Sequence, residues 1–301
     1  MKRMLVTGLT GKSGRVFAEL LKEKCPDLPY TIRVLVRTAQ QKKWAAQLLS
    51  GAEIYVGDLE NQKDLDEITR ETDLLFHISG IHWSLPLVRA AAANGVRRMV
   101  LVHTTGIYSK YKAAGEEYRQ IEAEIDALVQ EKEISLTYLR PTMIYGTLND
   151  RNMIQFIKMV DRLNPMPMVN HGRYSLQPVN YRDLGKAYMQ VLERLDETGG
   201  KSYILSGRDS LLLKDLFAEI AACLGVNRKF LSVPFPLAYG GAWLVYLLTF
   251  GKKDFREKVQ RLCEDRSYPH EEAARDFGYA PMPFAEGLSL EIEEYLRQKP
   301  Q

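Results

Sequence analysis

Val6-Thr7-Gly8-Leu9-Thr10-Gly11-Lys12-Ser13-Gly14 is the stretch on which the fold turns. The apolar run Met4 to Thr7 leads into it. Gly14 to Lys24 leads out with Val16, Phe17, Leu20 and Leu21 on one helical face. The glycines allow a tight turn and a close approach of backbone to a diphosphate. The helix behind them offers unpaired N–H groups and the positive end of its dipole. A glycine trio alone is a weak signal. Placed after a strand and before an amphipathic helix, it has the context that a dinucleotide-binding turn requires. Gly8, Thr10, Gly11, Lys12, Ser13 and Gly14 are therefore the expected phosphate-binding residues.

Outward from this turn the strand–helix alternation continues. Strands are expected at Thr31 to Val36, Glu53 to Val56, Leu74 to Ile78, Met99 to His103 and Leu136 to Leu139. Helices are expected at Lys42 to Leu49, Gln62 to Arg70, Leu85 to Asn94 and Glu116 to Glu131. Repeated strand–helix units imply an α/β fold, a doubly wound parallel Rossmann sheet with helices on both faces. After Gly146 the rhythm changes to helices at Met153 to Arg162, Asp183 to Leu195 (capped by Asp183), Leu213 to Leu224 and Phe284 to Leu296, with a short strand at Tyr203 to Leu205. Residues 164–175 read as loop. The expected division is a dinucleotide-binding domain, 1–148 with a returning segment 178–206, and a smaller, mainly helical substrate domain, 149–177 and 207–301.

Composition narrows the function classes. The 301 residues are 46% hydrophobic and 26% charged, as in an ordinary globular chain. A net charge of +3 with scattered Lys and Arg gives no concentrated basic face, so nucleic acid is not an expected partner. Cys25, Cys223 and Cys263 lie far apart with no metal-ligand spacing, so neither a disulfide framework nor a metal site is expected, and a reducing cytoplasm fits. Met1 runs directly into a strand, leaving no room for a signal peptide. Residues 230–250 carry no charge, but Pro234 and Pro236 break the run. The helical part, Leu237 to Phe250, is too short for a bilayer core of about 30 Å at about 1.5 Å per residue. It is expected as a helix buried in the second domain or lining an apolar pocket.

The end of the second strand bears on cofactor choice. A carboxylate there usually holds the ribose 2′-hydroxyl of NAD. This chain places Arg37 there instead, which favours the 2′-phosphate of NADP, with Lys12 as a second positive contact and NAD as the alternative.

Several segments, taken in order, carry a family resemblance. Gly8-x-x-Gly11-x-x-Gly14, Gly57-Asp58-Leu59, Phe76-His77-Ile78-Ser79-Gly80, Thr104-Thr105-Gly-Ile-Tyr108 and Arg140-Pro141-Thr142-Met-Ile-Tyr145-Gly146 resemble the extended and atypical short-chain dehydrogenases, including the NAD-dependent epimerase/dehydratase group. So do Pro178 to Ala187 and Ala273 to Leu288, which extends the resemblance over nearly the whole chain. The resemblance implies that Asp58 and Leu59 contact the adenine, that Ser79 and Gly80 pass the cofactor, and that Pro141 and Thr142 lie beside the nicotinamide. It also implies a catalytic Ser or Thr, a Tyr, and a Lys four residues after the Tyr. Thr104 fits the hydroxyl position, and counting back from Arg140-Pro141 puts the Tyr at Tyr118. The residue four further on is Glu122, a carboxylate that would raise rather than lower a neighbouring phenol pKa. Tyr108 with Lys112 is a second candidate dyad, and His82 with Trp83 follows the cofactor loop closely enough to meet a substrate.

Two functions follow as expectations. One is an NAD(P)-dependent oxidoreductase or epimerase acting on a carbonyl or nucleotide-sugar substrate, partly apolar by the evidence of residues 237–250. The other is a non-catalytic NADP(H)-binding regulator or structural subunit, suggested by Glu122. A homodimer formed through a helix pair is an arrangement the resemblance leaves open.

Overall fold

The structure, a computed structural model, describes residues 1–24, 28–150 and 152–299; Cys25 lies outside the described residues. Strands β1 (Lys2–Thr7), β2 (Tyr30–Val36), β3 (Glu53–Val56), β4 (Leu74–His77), β5 (Arg98–Val102) and β6 (Ser135–Pro141) alternate with α1 (Lys12–Lys24), α2 (Ala39–Leu48), α3 (Gln62–Thr69), α4 (Ser84–Ala93) and α5 (Gly115–Glu131). A returning strand, Ser202–Leu205, pairs with β6 and completes a parallel seven-stranded sheet in the order Ser202–Leu205, β6, β5, β4, β1, β2, β3. The central strands are apolar on both faces because helices cover both, as a parallel sheet requires. On one face Phe17, Phe76 and Tyr188 meet with ring centroids 4.9 to 5.9 Å apart, packing α1 and α7 (Tyr181–Glu193) onto the sheet. On the other face Leu65, Leu87, Val88 and Ile125 pack against Leu5, Leu75 and Met99. The strand order reverses between β1 and β4, and a crevice opens there at the carboxyl ends of the strands.

A third core lies apart from the sheet. α6 (Met153–Arg162) and the helices Leu213–Cys223 and Phe284–Gln298 enclose Ile154, Ile157, Met166, Phe217, Leu288 and Ile292.

Three expectations are corrected. Residues 164–175 are not simply loop. Met166–Val169 is a strand paired in parallel with Phe230–Val233, and Asn170–Gly172 forms a single turn. Prolines 165 and 167 hide this strand, and its partner lies more than sixty residues away. The helix expected from Asp183 begins at Tyr181 and is capped by Asn180, which accepts the Arg182 N–H at 3.0 Å. Asp183 instead accepts the N–H of Met282 at 3.0 Å. Finally, the apolar helix, Phe235–Leu248, is not buried, although its Ala238 does line an apolar cavity beside α6, the other arrangement expected of it. Leu237 is 68% exposed and Leu248 70%, and within the helix only Ala242 is buried. The third core is already closed by the helices named above, and this helix is held from outside. Arg256 lies over Trp243 and Tyr246, 4.3 and 4.0 Å from the ring centroids. Among the described residues no helix is long and apolar enough to cross a membrane. Cys223 and Cys263 are free thiols.

Candidate active site

The glycine turn lies in the crevice where the sheet reverses. Gly8 has φ +82°, and a Cβ there would stand 2.7 Å from the Ser79 amide nitrogen, so only glycine lets the turn rest on the end of β4. A Cβ on Gly14 would run into Gly8 O, which keeps α1 against the turn. Gly11 N–H donates to Gly8 O at 3.0 Å and Arg15 N–H to Gly11 O at 2.8 Å, leaving the amides of the intervening turn to face the crevice. A cavity of about 430 Å³ opens beside them. Gly8, Thr10, Gly11 and Ser13 form one wall, Asp58, Leu59 and Ser79 the other, and Arg37 with Gln41 the rim. Asp58 N–H donates to Asp64 Oδ2 at 2.8 Å, which fixes that second wall. Arg37 is exposed, and no hydrogen bond or ion pair ties its guanidinium to another described residue.

His77 fixes the loop between β4 and α4. It is fully buried, and burial pushes its pKa down to about 4, so the ring is neutral. Gly80 O can only accept, so Nε2–H donates to it at 3.0 Å, and Nδ1 accepts from the Thr7 hydroxyl at 2.6 Å. Gly80 is held at φ +104°, and the chain passes from it into Ile81 and His82.

A second cavity, about 540 Å³, continues from there, lined by Lys12, Gly80, His82, Thr104, Tyr118 and Thr142 among others. Lys12 thus borders this cavity and not the one rimmed by Arg37. Successive helix positions diverge by about 100°, so the side chains of Lys12 and Ser13 leave α1 on different sides. Pro141 lines neither cavity; its carbonyl accepts from Thr105 Oγ1 at 3.2 Å, and Gly14 is buried beneath the turn.

Thr104 and Tyr118 share the second cavity. Thr104 Oγ1 accepts the Gly106 N–H at 2.9 Å, so its own proton remains to be donated. The Tyr118 hydroxyl lies 3.4 Å from His82 Nε2, and His82 Nδ1 lies 2.8 Å from Glu117 Oε1. The Lys112 ammonium stands 5.9 Å from the centroid of the Tyr118 ring and 3.8 Å from Glu257. Tyr108 is 48% exposed, 5.8 Å from the Tyr268 ring, and outside the cavity wall. Trp83 borders the glycine-turn cavity, and the pairing of His82 with Glu117 carries no signal at sequence distance.

Glu122 faces the sheet. It is buried, with Oε1 2.8 Å from His103 Nδ1 and Oε2 2.6 Å from Arg140. Burial alone would raise its carboxyl, but the hydrogen bonds from His103 and Arg140 outweigh this and hold it below the usual range. Burial lowers the His103 pKa, so its Nδ1–H donates to Glu122 while Nε2 accepts from the Ser84 hydroxyl at 2.9 Å. The charge where a lysine was expected is therefore balanced within α5, β5 and β6. Among the described residues no group of His, Cys, Asp and Glu could hold a metal ion.

A model of the NmrA-like family matches residues 1–239. The chain is 23% identical to a 2-alkyl-3-oxoalkanoate reductase of Stenotrophomonas maltophilia, over 74% of this chain and 73% of that one. It is 21% identical to an N-acetyl-alpha-D-glucosaminyl-diphospho-ditrans,octacis-undecaprenol 4-epimerase of Escherichia coli, over 97% and 96%. In fold it is similar to a UDP-glucose 4-epimerase of Thermotoga maritima (TM-score 0.70, 16% identity, 98% and 99% covered). It is also similar to a dTDP-glucose 4,6-dehydratase of Streptomyces venezuelae solved with NAD bound (TM-score 0.71, 18% identity, 98% and 97% covered).

Proposed function

The chain belongs to the NmrA-like family, and on that premise we propose that it is an NADP-dependent oxidoreductase of the short-chain dehydrogenase type that reduces a carbonyl. The observation that carries this reading is the placement of the Thr104 hydroxyl and the Tyr118 phenol on one cavity wall that continues, past Gly80 and Lys12, toward the glycine-turn cavity.

The residues present fit a nicotinamide dinucleotide. Amides at the start of α1 suit the diphosphate, Asp58 and Leu59 the adenine, Arg37 the 2′-phosphate, and Thr142 the nicotinamide end. When bound, that group supplies a hydride to the carbonyl carbon. Thr104 donates a hydrogen bond to the carbonyl oxygen, keeping its own proton, and holds that oxygen in place. Tyr118 delivers the proton that the developing alkoxide needs. His82 stands in for the missing lysine. Glu117 fixes Nδ1–H, which presents Nε2 to the phenol, where it exchanges a proton with Tyr118 and thus with solvent.

The relatives that match across most of the chain are enzymes, which favours this reading over a cofactor-sensing regulator. The test combines NADPH oxidation at 340 nm over a panel of carbonyl compounds with product analysis, because an epimerase regenerates its cofactor. Tyr118→Phe is expected to lower kcat by about 10²–10⁴ while the NADPH Kd stays within about twofold. His82→Gln should lower kcat less than Tyr118→Phe and leave the NADPH Kd within about twofold. Failure of NADPH and NADH to bind, or full activity in Tyr118→Phe, would sink the proposal.

A further inference from the structure

A third cavity, about 540 Å³, lies between α6, the helix Leu213–Cys223 and the Phe255–Leu262 segment. Met159, Met168, Phe156, Phe217, Val259 and Leu262 form its wall, and its polar neighbours are Asn152, Gln155, Lys258, Arg261 and Arg266. It is continuous with the cavity that holds Thr104 and Tyr118, because Met143, Asn152, Arg261 and Arg266 border both. Two guanidiniums therefore stand at the junction of a polar chamber and an apolar one.

These two cations are poorly compensated. Nε of Arg261 and Nε of Arg266 are buried without a hydrogen-bond partner among the described residues. Arg261 has a weak ion pair with Glu257 at 3.6 Å. Arg266 has no ion pair among the described residues, and burial, followed by the field of Arg261, pushes its pKa down to about 10. The field of Glu264 offsets part of this, but the carboxylates nearest in sequence make their hydrogen bonds elsewhere. Glu264 accepts from the Ser109 hydroxyl and the Lys110 amide, and Asp265 from the amide and hydroxyl of Ser175. A buried cation without a partner is costly, and an anion supplied from outside relieves the cost.

Resting on the reading of the cleft as a carbonyl-reducing site, we propose that the substrate is an acyl compound whose carboxylate is held by Arg261 and Arg266 and whose alkyl arm fills the Met- and Phe-lined chamber. The chamber has room for an arm on the order of ten carbons. Its unbranched thioether side chains adapt to flexible chains, and its wall offers few partners for the polar edges of a nucleobase.

The test reads binding in the absence of cofactor, so that it stands apart from the reductase assay. Dodecanoate, 1-dodecanol, hexanoate, dodecyl phosphate and UDP are titrated calorimetrically into the full chain, followed by NADPH as an independent control. The expected order is dodecanoate tightest, with dodecanol and hexanoate each weaker by at least tenfold. Arg266→Gln should lose at least tenfold for dodecanoate and little for dodecanol. Val259→Trp, which narrows the chamber from its partly exposed side, should lose dodecanoate and keep hexanoate. Unchanged NADPH affinity in both variants shows that they fold. Dodecyl phosphate binding more tightly than dodecanoate, UDP binding in place of dodecanoate, or equal dodecanoate affinity in the wild type and Arg266→Gln would each overturn the proposal. If NADPH fails to bind while dodecanoate binds, the oxidoreductase reading falls and the acyl site stands.

Discussion

At the scale of single residues, two charges are open to direct test, one on the crevice rim and one buried behind it. Arg37 stands on the rim of the glycine-turn cavity with its guanidinium free of protein partners. Arg37→Ala is expected to weaken NADPH binding about 10- to 100-fold, or roughly 1.4 to 2.8 kcal/mol, and to leave NADH within about threefold. Fluorescence titration of both cofactors checks this, and an equal loss for the two would remove Arg37 from 2′-phosphate selection. Glu122 is the second charge. A lysine there would complete the interval that the resemblance implies, but its ammonium would meet Arg140 and His103 in a buried site. Glu122→Lys is expected to cost about 3–5 kcal/mol and to lower the thermal midpoint without raising turnover. A variant that melted like the wild type and turned over faster would contradict the compensated-charge account. The interval implied by the resemblance singled out Thr104, Tyr118 and Glu122 as candidates, and Thr104 and Tyr118 do line one cavity. It gave no access to Glu117, Arg261 or Arg266, whose roles depend on contacts between distant segments.

At the scale of elements, helical periodicity located α1, α3, α5 and α6 within a few residues, because each has one face on a core and one in water. The helix Phe235–Leu248 is apolar all round, so its composition carried no information about which side would be covered. The terminal helix Phe284–Gln298 is held partly by a carboxyl. Glu291, fully buried, accepts the Gly146 N–H at 2.9 Å, and burial, reinforced by Asp150 beside it, pushes its pKa up to about 9. The unfolded chain ionises this group near 4.5 while the folded chain keeps the proton. The folded state therefore binds more protons between those values, and its stability falls as pH rises from about 4.5 to about 9. Glu291→Gln keeps an acceptor for Gly146 and removes the titration. It should stabilise the protein, with a gain that grows from pH 5 to pH 9 and reaches on the order of 2–3 kcal/mol at pH 8. Thermal melts across this range check the slope, and a pH-independent change would assign the effect to packing.

At the scale of the whole molecule, the parallel sheet was legible because its strands are uniformly apolar and separated by helix-length segments. The reversal of strand order beside β1 then places the crevice without further information. The third core was less legible, since Met166–Val169 and Phe230–Val233 recognise one another across a long stretch of chain. The proposed division into a dinucleotide-binding part and a substrate part puts the glycine turn in the first and most of the acyl chamber in the second. Thr104 and Tyr118 line the polar chamber. His103, at the end of β5, borders the same chamber, and it is tied to Ser84 of α4, Glu122 of α5 and Arg140 of β6 around one buried negative charge. Positions 122 and 140 are thereby locked to one another: reversing the charge at either alone leaves an unpaired ion in the interior, and only a paired exchange keeps the network neutral.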